Sequence, residues 1–524
     1  MTESQRIVLN VVATYGRSLV GVACGIFSTR WVLMALGQVD FGLYGLVGSL
    51  ALFMTFINIQ FSLAISRYYA YSVGQARISE TKEAGLEECR AWFSVAVFIH
   101  LIIPIMLTLI FSPLGEYAIK HGIVAVPADR INDCLWVWRF TVCSCFVGMV
   151  AVPFQAMYTA KQCIAELTVY SFVQVIVRTI GFYYMACHPG DWLIKYGFFM
   201  CVVAVVPQLI ICVRACQVFR ECRLRIKEMV SISRMRKLGV YAGWTTFGGV
   251  GYLVSRQCMS VLMNNAYGSR VTGSFTVGQN VAGEAAALSG ALQSAFTPAI
   301  ASACGARKLE QMREMAYMVC KIGTLFTLIF ALPMALEMEE ILKLWLKEPP
   351  PFASEICIAT LAFIIVEKLS TGHGIAINAV GRIAAYQVCH GVMLCSVLLL
   401  ALVPVYFGFG VAVTAYTMPI SCMFVVFCDV VLARSIVGLQ FKRWFNEIFL
   451  PLCTLTMIAV GVGWLPHCFM HQSFVRVAVT TICCFLIIVI LAWTLVLSEN
   501  ECQYFRDQLV KVKERFIPWK LRIH

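Results

Sequence analysis

Apolar stretches about 20 residues long follow one another from near the N-terminus almost to residue 498, and no other feature limits the fold as tightly. That length is what an α-helix needs to cross a hydrocarbon layer of about 30 Å. In lipid a spanning segment must satisfy its own backbone N–H and C=O groups, so the stretches are expected to be helices. Of the 524 residues, 60% are hydrophobic and 13% are charged, well below the roughly one quarter charged in a soluble domain. The sequence predicts an all-α integral membrane protein of about 14 spans: 7–36, 42–66, 91–115, 134–158, 165–187, 193–214, 238–263, 272–300, 314–336, 355–380, 383–405, 409–433, 447–466 and 474–498.

Orientation follows from the basic residues. With a cytoplasmic N-terminus, 27 Lys and Arg fall on the inner side and five on the outer: Lys120, Arg130, Arg270, Lys343 and Lys347. Cytoplasmic segments carry such an excess, so both termini are expected inside. The net charge of +13 then faces anionic lipid rather than nucleic acid. Met1–Arg6 is short and polar and leads straight into a full span, which makes that span its own targeting signal. The 24 cysteines lie mostly within spans without zinc-ligand spacing. They read as small packing residues, and no metal or cofactor is expected.

The chain also repeats itself. At an offset of 231 residues, Gly37-x4-Gly42-x-Tyr44 falls on Gly268-x4-Gly273-x-Phe275, Ala64 on Ala295, Gly74 on Gly305 and Arg77 on Lys308. This predicts two parallel six-helix lobes, 1–213 and 238–433, followed by an extra C-terminal helix pair within 434–498. Internal repeats of this kind are a transporter signature. The lobes are joined by a basic connector, 214–237, with Arg220, Arg223, Arg225, Lys227, Arg234, Arg236 and Lys237 expected on the inner leaflet. The tail 499–524 alternates aromatic and basic residues and is expected to form a second surface helix.

Ser28-x-Arg30, Leu36-Gly37, Asp40-x-Gly42-x-Tyr44 and Ser66-Arg67 resemble the first two spans of bacterial polysaccharide flippases of the O-antigen type. These belong to the multidrug/oligosaccharidyl-lipid/polysaccharide exporter superfamily. The second half departs from the pattern, with Ser269-Arg270 in place of the acidic position. The resemblance implies a flippase of the bacterial inner membrane. Its substrate would be a polyprenyl-pyrophosphate-linked oligosaccharide, a lipopolysaccharide, capsule or exopolysaccharide repeat unit. It also implies that the first two helices of each lobe line a central cavity, with a coupling ion (proton or sodium) and polysaccharide polymerase machinery as further partners.

Ionisable groups within spans are costly and usually face a hydrated cavity or a partner. Here Arg17, Arg30, Arg139, Arg178, Arg256, Lys321 and Lys368 stand against Glu284, Glu367 and Asp429. A cationic interior suits a diphosphate, whose oxygens match the forked donors of arginine. Arg17, Arg30, Arg256 and Glu284 are the candidate cavity residues. Arg17 lies near mid-depth, four residues before Gly21-x3-Gly25, and is read either as cavity-lining or as paired with an acid such as Glu284. Arg30 and Arg67, near span ends, either snorkel to headgroups or meet substrate. Glu284 is read either as a coupling site or as a counter-ion for Arg17 or Arg256. Arg139 and Arg178 are expected in structural pairs, Glu367 and Lys368 with separate partners because neighbours diverge by about 100° on a helix. His373, flanked by Gly372 and Gly374, is expected at a kink. Asp429 needs no special role.

A cation-coupled drug exporter and a peptidoglycan-precursor flippase are the alternatives within the superfamily. Cationic drugs call for carboxylates, which the interior mostly lacks. A membrane glycosyltransferase or polymerase needs a large outer loop, whereas 116–133, 337–354 and 467–473 are short, and Glu337, Glu339 and Glu340 read as a solvated face. No Gly-x4-Gly-Lys-Ser/Thr loop is present for ATP hydrolysis.

Overall fold

The computed structural model describes residues 3–76, 82–122, 126–188, 190–346, 349–499 and 501–503, and among them every regular element is helical. The first half comprises α1 (Glu3–Leu50), α2 (Leu52–Ala76), α3 (Lys82–Lys120), α4 (Ile131–Ala160), α5 (Ile164–Cys187) and α6 (Leu193–Val218). Then come α7 (Ile232–Tyr267), α8 (Ser269–Gly305), α9 (Leu309–Leu336), α10 (Met338–Leu346), α11 (Ala353–Lys368) and α12 (Thr371–Val380). The last elements are α13 (Ala384–Tyr406), α14 (Val411–Val437), α15 (Phe441–Trp444), α16 (Leu450–Phe469) and α17 (Phe474–Leu491). Among the described residues, nine helical segments are long and apolar enough to cross a membrane, which makes this a multi-pass membrane protein. α1, α2, α7, α8 and the broken pair α11–α12 lie outside that set.

The register of the repeat is visible in the backbone. Gly37 bends α1 at φ 72°, ψ 172°, and Gly268 separates α7 from α8 at φ 88°. L-residues with a β-carbon adopt such backbones only under strain of about 1–3 kcal/mol. Gly37→Ala and Gly268→Ala should therefore each lower the thermal unfolding midpoint, and unchanged midpoints in both would remove the strain argument. Ala64 and Ala295, equivalent by the same offset, are both fully buried.

One compact unit comprises Arg6–Thr246 with Thr297–Leu309. Its cores gather Leu43, Val47, Ile119, Trp138 and Leu193, and Val32, Leu36, Phe182, Met185 and Tyr196. Between lipid-embedded helices such packing stabilises by close contact, since lipid tails are as apolar as the side chains. Trp138 donates its indole N–H to the Ser112 carbonyl at 3.0 Å. Arg130 binds three carboxylates, Asp40 at 3.0 Å, Asp133 at 2.8 Å and Asp191 at 2.6 Å. Asp40 of the motif is thus a tie between α1 and the start of α4, and hydrogen bonding from Arg130 holds the Asp191 carboxyl below its ordinary range. In the same unit α2 crosses the end of α8 at two glycines. A β-carbon on Gly74 would lie 2.0 Å from the Ser302 carbonyl oxygen, and one on Gly305 2.1 Å from that of Tyr71. Tyr71 and Ser302 are themselves equivalent by the repeat offset, so the crossing is symmetric.

The other unit contains Phe247–Phe296 and the chain from Glu310 onward. One core joins Met259, Met263, Phe275, Ile356, Val397 and Met418, and another Val281, Met338, Leu342 and Cys357. The C-terminal helices are fastened to α9 at two levels, just past its end and near its middle. Just past α9, Glu337 has a fully buried side chain that accepts from Arg476 Nη2 at 2.8 Å and Thr480 Oγ1 at 2.7 Å, with His467 Nε2 at 3.4 Å. Further down α9, Lys321 pairs with Glu501 at 3.0 Å and Glu447 at 3.7 Å.

Three expectations are corrected here. Glu337 does not belong to a solvated face: it lies at the α9–α10 junction and turns inward, while Glu339 stays exposed. Lys368 does bind Glu367, at 3.2 Å, because its four-carbon stem curls across the angle that separates the two β-carbons. The basic connector is not one amphipathic helix, since α6 runs to Val218 and α7 starts at Ile232 with a single short turn, Ile226–Glu228, between them. Ile226 and Ile232 are 82% and 77% exposed there. The expected surface helix of the tail lies, from residue 504 on, outside the described residues.

Candidate functional site

The seven intramembrane cations divide by what surrounds them. Arg139 pairs with Glu116 at 2.9 Å as expected, Lys321 holds the C-terminal helices, and Lys368 holds Glu367. Arg178 departs from its expected pairing: it has no ion pair among the described residues, and its buried Nε has no hydrogen-bond partner. Arg17, half-buried on α1, makes no ion pair or hydrogen bond with any described residue. Arg30 lies on α1, but its side chain is outside the described residues.

Arg256 is the cation built into a cavity. It projects from α7, with Nη1 donating to Tyr252 Oη at 2.8 Å and Nη2 to Gln279 Oε1 of α8. Its guanidinium also stands 5.4 Å from the Tyr252 ring centroid. The one-turn spacing of Tyr252 and Arg256 puts both on the same face of α7. Ser255, Thr360 and Phe363 complete much of the wall of a cavity of about 50 Å³, enough for a few water molecules. Every acceptor that holds Arg256 is neutral. The guanidinium is therefore oriented without being neutralised, and of its five donors at least two remain to meet an anion.

Glu284 follows cavity-lining Gly283 on α8, is exposed, and forms no ion pair among the described residues. It is not the counter-ion of Arg256, which uses Tyr252 and Gln279 instead. Tyr252 and Gln279 escaped the sequence reading because a search for ionisable residues passes over neutral side chains. Gln279, one of three amides inside the span 272–300 with Asn280 and Gln293, was the available signal. Asp429, assigned no role from sequence, is buried and accepts from His390 Nδ1 and Ser370 Oγ, both at 3.1 Å. His373 follows the break between α11 and α12, where its N–H bonds the Ser370 carbonyl at 2.9 Å, so the expected kink is present. Among the described residues no cluster of His, Cys, Asp and Glu is arranged to hold a metal ion.

Solved structures with this fold include MATE in a straight conformation, 13% identical with a TM-score of 0.67, over 84% of this chain and 97% of that one. A multidrug resistance MATE family transporter of the MOP superfamily, facing outward, is also 13% identical with a TM-score of 0.67, over 84% and 96%. A MOP superfamily transporter from Pyrococcus furiosus, described by the reverse polarity of its binding pocket, is 12% identical with a TM-score of 0.67, over 84% and 96%. At such identities the likeness establishes the fold alone. Comparison with curated protein sequences finds no match. A family model described as polysaccharide biosynthesis protein matches residues 32–303, more than half of the chain. With that match and its all-helical fold, the chain belongs to the polysaccharide biosynthesis protein family.

Proposed function

We propose that the protein is a flippase that carries a polyprenyl-pyrophosphate-linked oligosaccharide from the inner to the outer leaflet by alternating access. The observation that carries this reading is the state of Arg256, held in a cavity by two neutral acceptors with its charge unspent. A diphosphate supplies the anionic oxygens that such a guanidinium lacks. Arg17, which makes no ion pair among the described residues, is a further cation offered to the substrate, and Arg30 lies on the same helix. The lobes 1–213 and 238–433 rock around the sugar and diphosphate while the polyprenyl tail stays in lipid. The protein works in the bacterial inner membrane with both termini cytoplasmic, supplying repeat units to polysaccharide polymerase machinery. One observation favours the cation-coupled drug exporter as the second reading: exposed, unpaired Glu284 beside the cavity offers a carboxylate to a cationic substrate. A peptidoglycan-precursor flippase would use the same cationic groups.

The test is reconstitution into liposomes with a polyprenyl-pyrophosphate-linked oligosaccharide, following exposure of the sugar to an external glycosidase. Arg256→Ala should slow exposure by about 10- to 100-fold, the equivalent of a charged hydrogen bond of about 1.5–3 kcal/mol. Arg17→Ala should also lose transport, with Arg17→Lys restoring part of it. Arg139→Ala, which breaks the pair with Glu116 and the contact with the Trp136 ring, should stay near the wild-type rate. Normal exposure in both the Arg256→Ala and Arg17→Ala variants, or Glu284-dependent uptake of a cationic dye without sugar exposure, would replace the flippase reading with the exporter.

A further inference from the structure

Beyond the cavity, the second unit holds a buried acid–base pair at a break in a membrane-embedded helix. α11 ends at Lys368 and α12 starts at Thr371. A helix is interrupted at membrane depth only where other groups satisfy the freed backbone. Here Trp444 donates its indole N–H to the Leu369 carbonyl at 2.9 Å, and the Ser370 hydroxyl donates to Asp429 Oδ2 at 3.1 Å. The other oxygen of Asp429 accepts from His390 Nδ1, also at 3.1 Å. Asp429 is nearly inaccessible, with 5% of its side chain exposed, whereas 26% of His390 is exposed. The acid is thus sealed inside, while the base reaches the surface of its unit.

We propose that His390 and Asp429 form a proton-binding site that couples proton movement to transport; this rests on the transporter reading given above. Because Asp429 takes the Nδ1–H, the lone pair on His390 Nε2 is left as the base. One proton binds to Nε2, giving an imidazolium that neutralises the aspartate, and the same proton later leaves from Nε2. The buried pair therefore alternates between a net charge of minus one and zero, and Ser370 links that change directly to the helix break. The groups around the pair are Cys320 of α9, Glu367 and Lys368 of α11, His373 of α12, Tyr386 and Cys389 of α13, and Cys422 and Cys428 of α14. Glu367, three residues before Ser370, pairs with Lys368 at 3.2 Å. Glu284, read from sequence either as a coupling site or as a counter-ion, forms no ion pair among the described residues, and the coupling role is placed here on His390 instead.

Two measurements decide the matter. In the liposome assay a transmembrane difference of one pH unit should change the wild-type rate by up to about tenfold, the limit for one coupled proton. His390→Gln and Asp429→Asn should turn over slowly, with that ratio reduced to about one. A wild-type rate that follows a sodium gradient and ignores pH would overturn the proton site while leaving the flippase intact. The second measurement needs no substrate: proton uptake by purified protein in unbuffered nanodiscs between pH 8 and pH 6. His390→Gln should bind about one proton fewer per chain than wild type. No difference in uptake overturns the proposal whatever the liposomes show, and absence of flipping with a one-proton difference condemns the substrate reading alone.

Discussion

Arg476→Ala should be among the most destabilising single substitutions in this protein. It strips the bidentate partner from Glu337, whose side chain is fully buried, and an orphaned buried charge costs about 3–5 kcal/mol. The hydroxyl of Thr480 remains as a hydrogen-bond donor but carries no charge to offset the carboxylate. The expected result is a large fall in the thermal unfolding midpoint and protease sensitivity in the segment from Phe441 onward. A Glu337→Met/Arg476→Met double variant should recover most of the loss, because an apolar pair of similar volume leaves no buried charge behind. If the single variant unfolds like wild type, or the double fares worse than the single, the ion pair does not dock the C-terminal helices.

The second large effect is steric. Gly74→Ala and Gly305→Ala each place a methyl group within about 2 Å of a backbone carbonyl oxygen across the α2–α8 crossing. Backbone cannot step aside as a flexible side chain does, so the helices must separate, at a cost of about 1–3 kcal/mol or more for each. Symmetry sharpens the expectation, since the two variants disturb equivalent contacts and should fall by similar amounts. Gly239→Ala and Gly290→Ala are the controls: nothing lies within 4 Å of the added carbon at either position. Helix propensity alone should make them neutral or slightly stabilising. Equal unfolding midpoints for all four variants would show that the crossing is looser than it stands.

These two predictions also mark what was readable in the sequence. Apolar block length was enough for the all-helical membrane class, because the bilayer imposes one length on every span. The offset that pairs Gly37 with Gly268 was readable too, since a positive φ demands glycine and leaves a trace in both halves. The docking of the C-terminal pair was not. Glu337 looks like its neighbours Glu339 and Glu340 until the chain turns at the α9–α10 junction, and its partner lies 139 residues away. Arg256 announced itself by the cost of a charge in lipid, but the neutral residues that orient it carry no such signal. The Glu367–Lys368 pair was misread because helix geometry fixes the direction of a β-carbon and not the reach of a long side chain. His390 drew no notice, since what matters about it is the carboxylate that α14 brings beside it.

The fastening of α9 also imposes an order on biosynthesis. Glu337 enters the membrane 139 residues before Arg476, and Lys321 180 residues before Glu501, the nearer of its two acids, with Glu447 arriving in between. At a synthesis rate of about 5–20 residues per second, these waits last roughly 7–28 s and 9–36 s. Until Arg476 arrives Glu337 has no arginine to pair with, so a ribosome that stalls before the last helix leaves behind a product with that carboxylate unmet, which a membrane protease can recognise as unfinished.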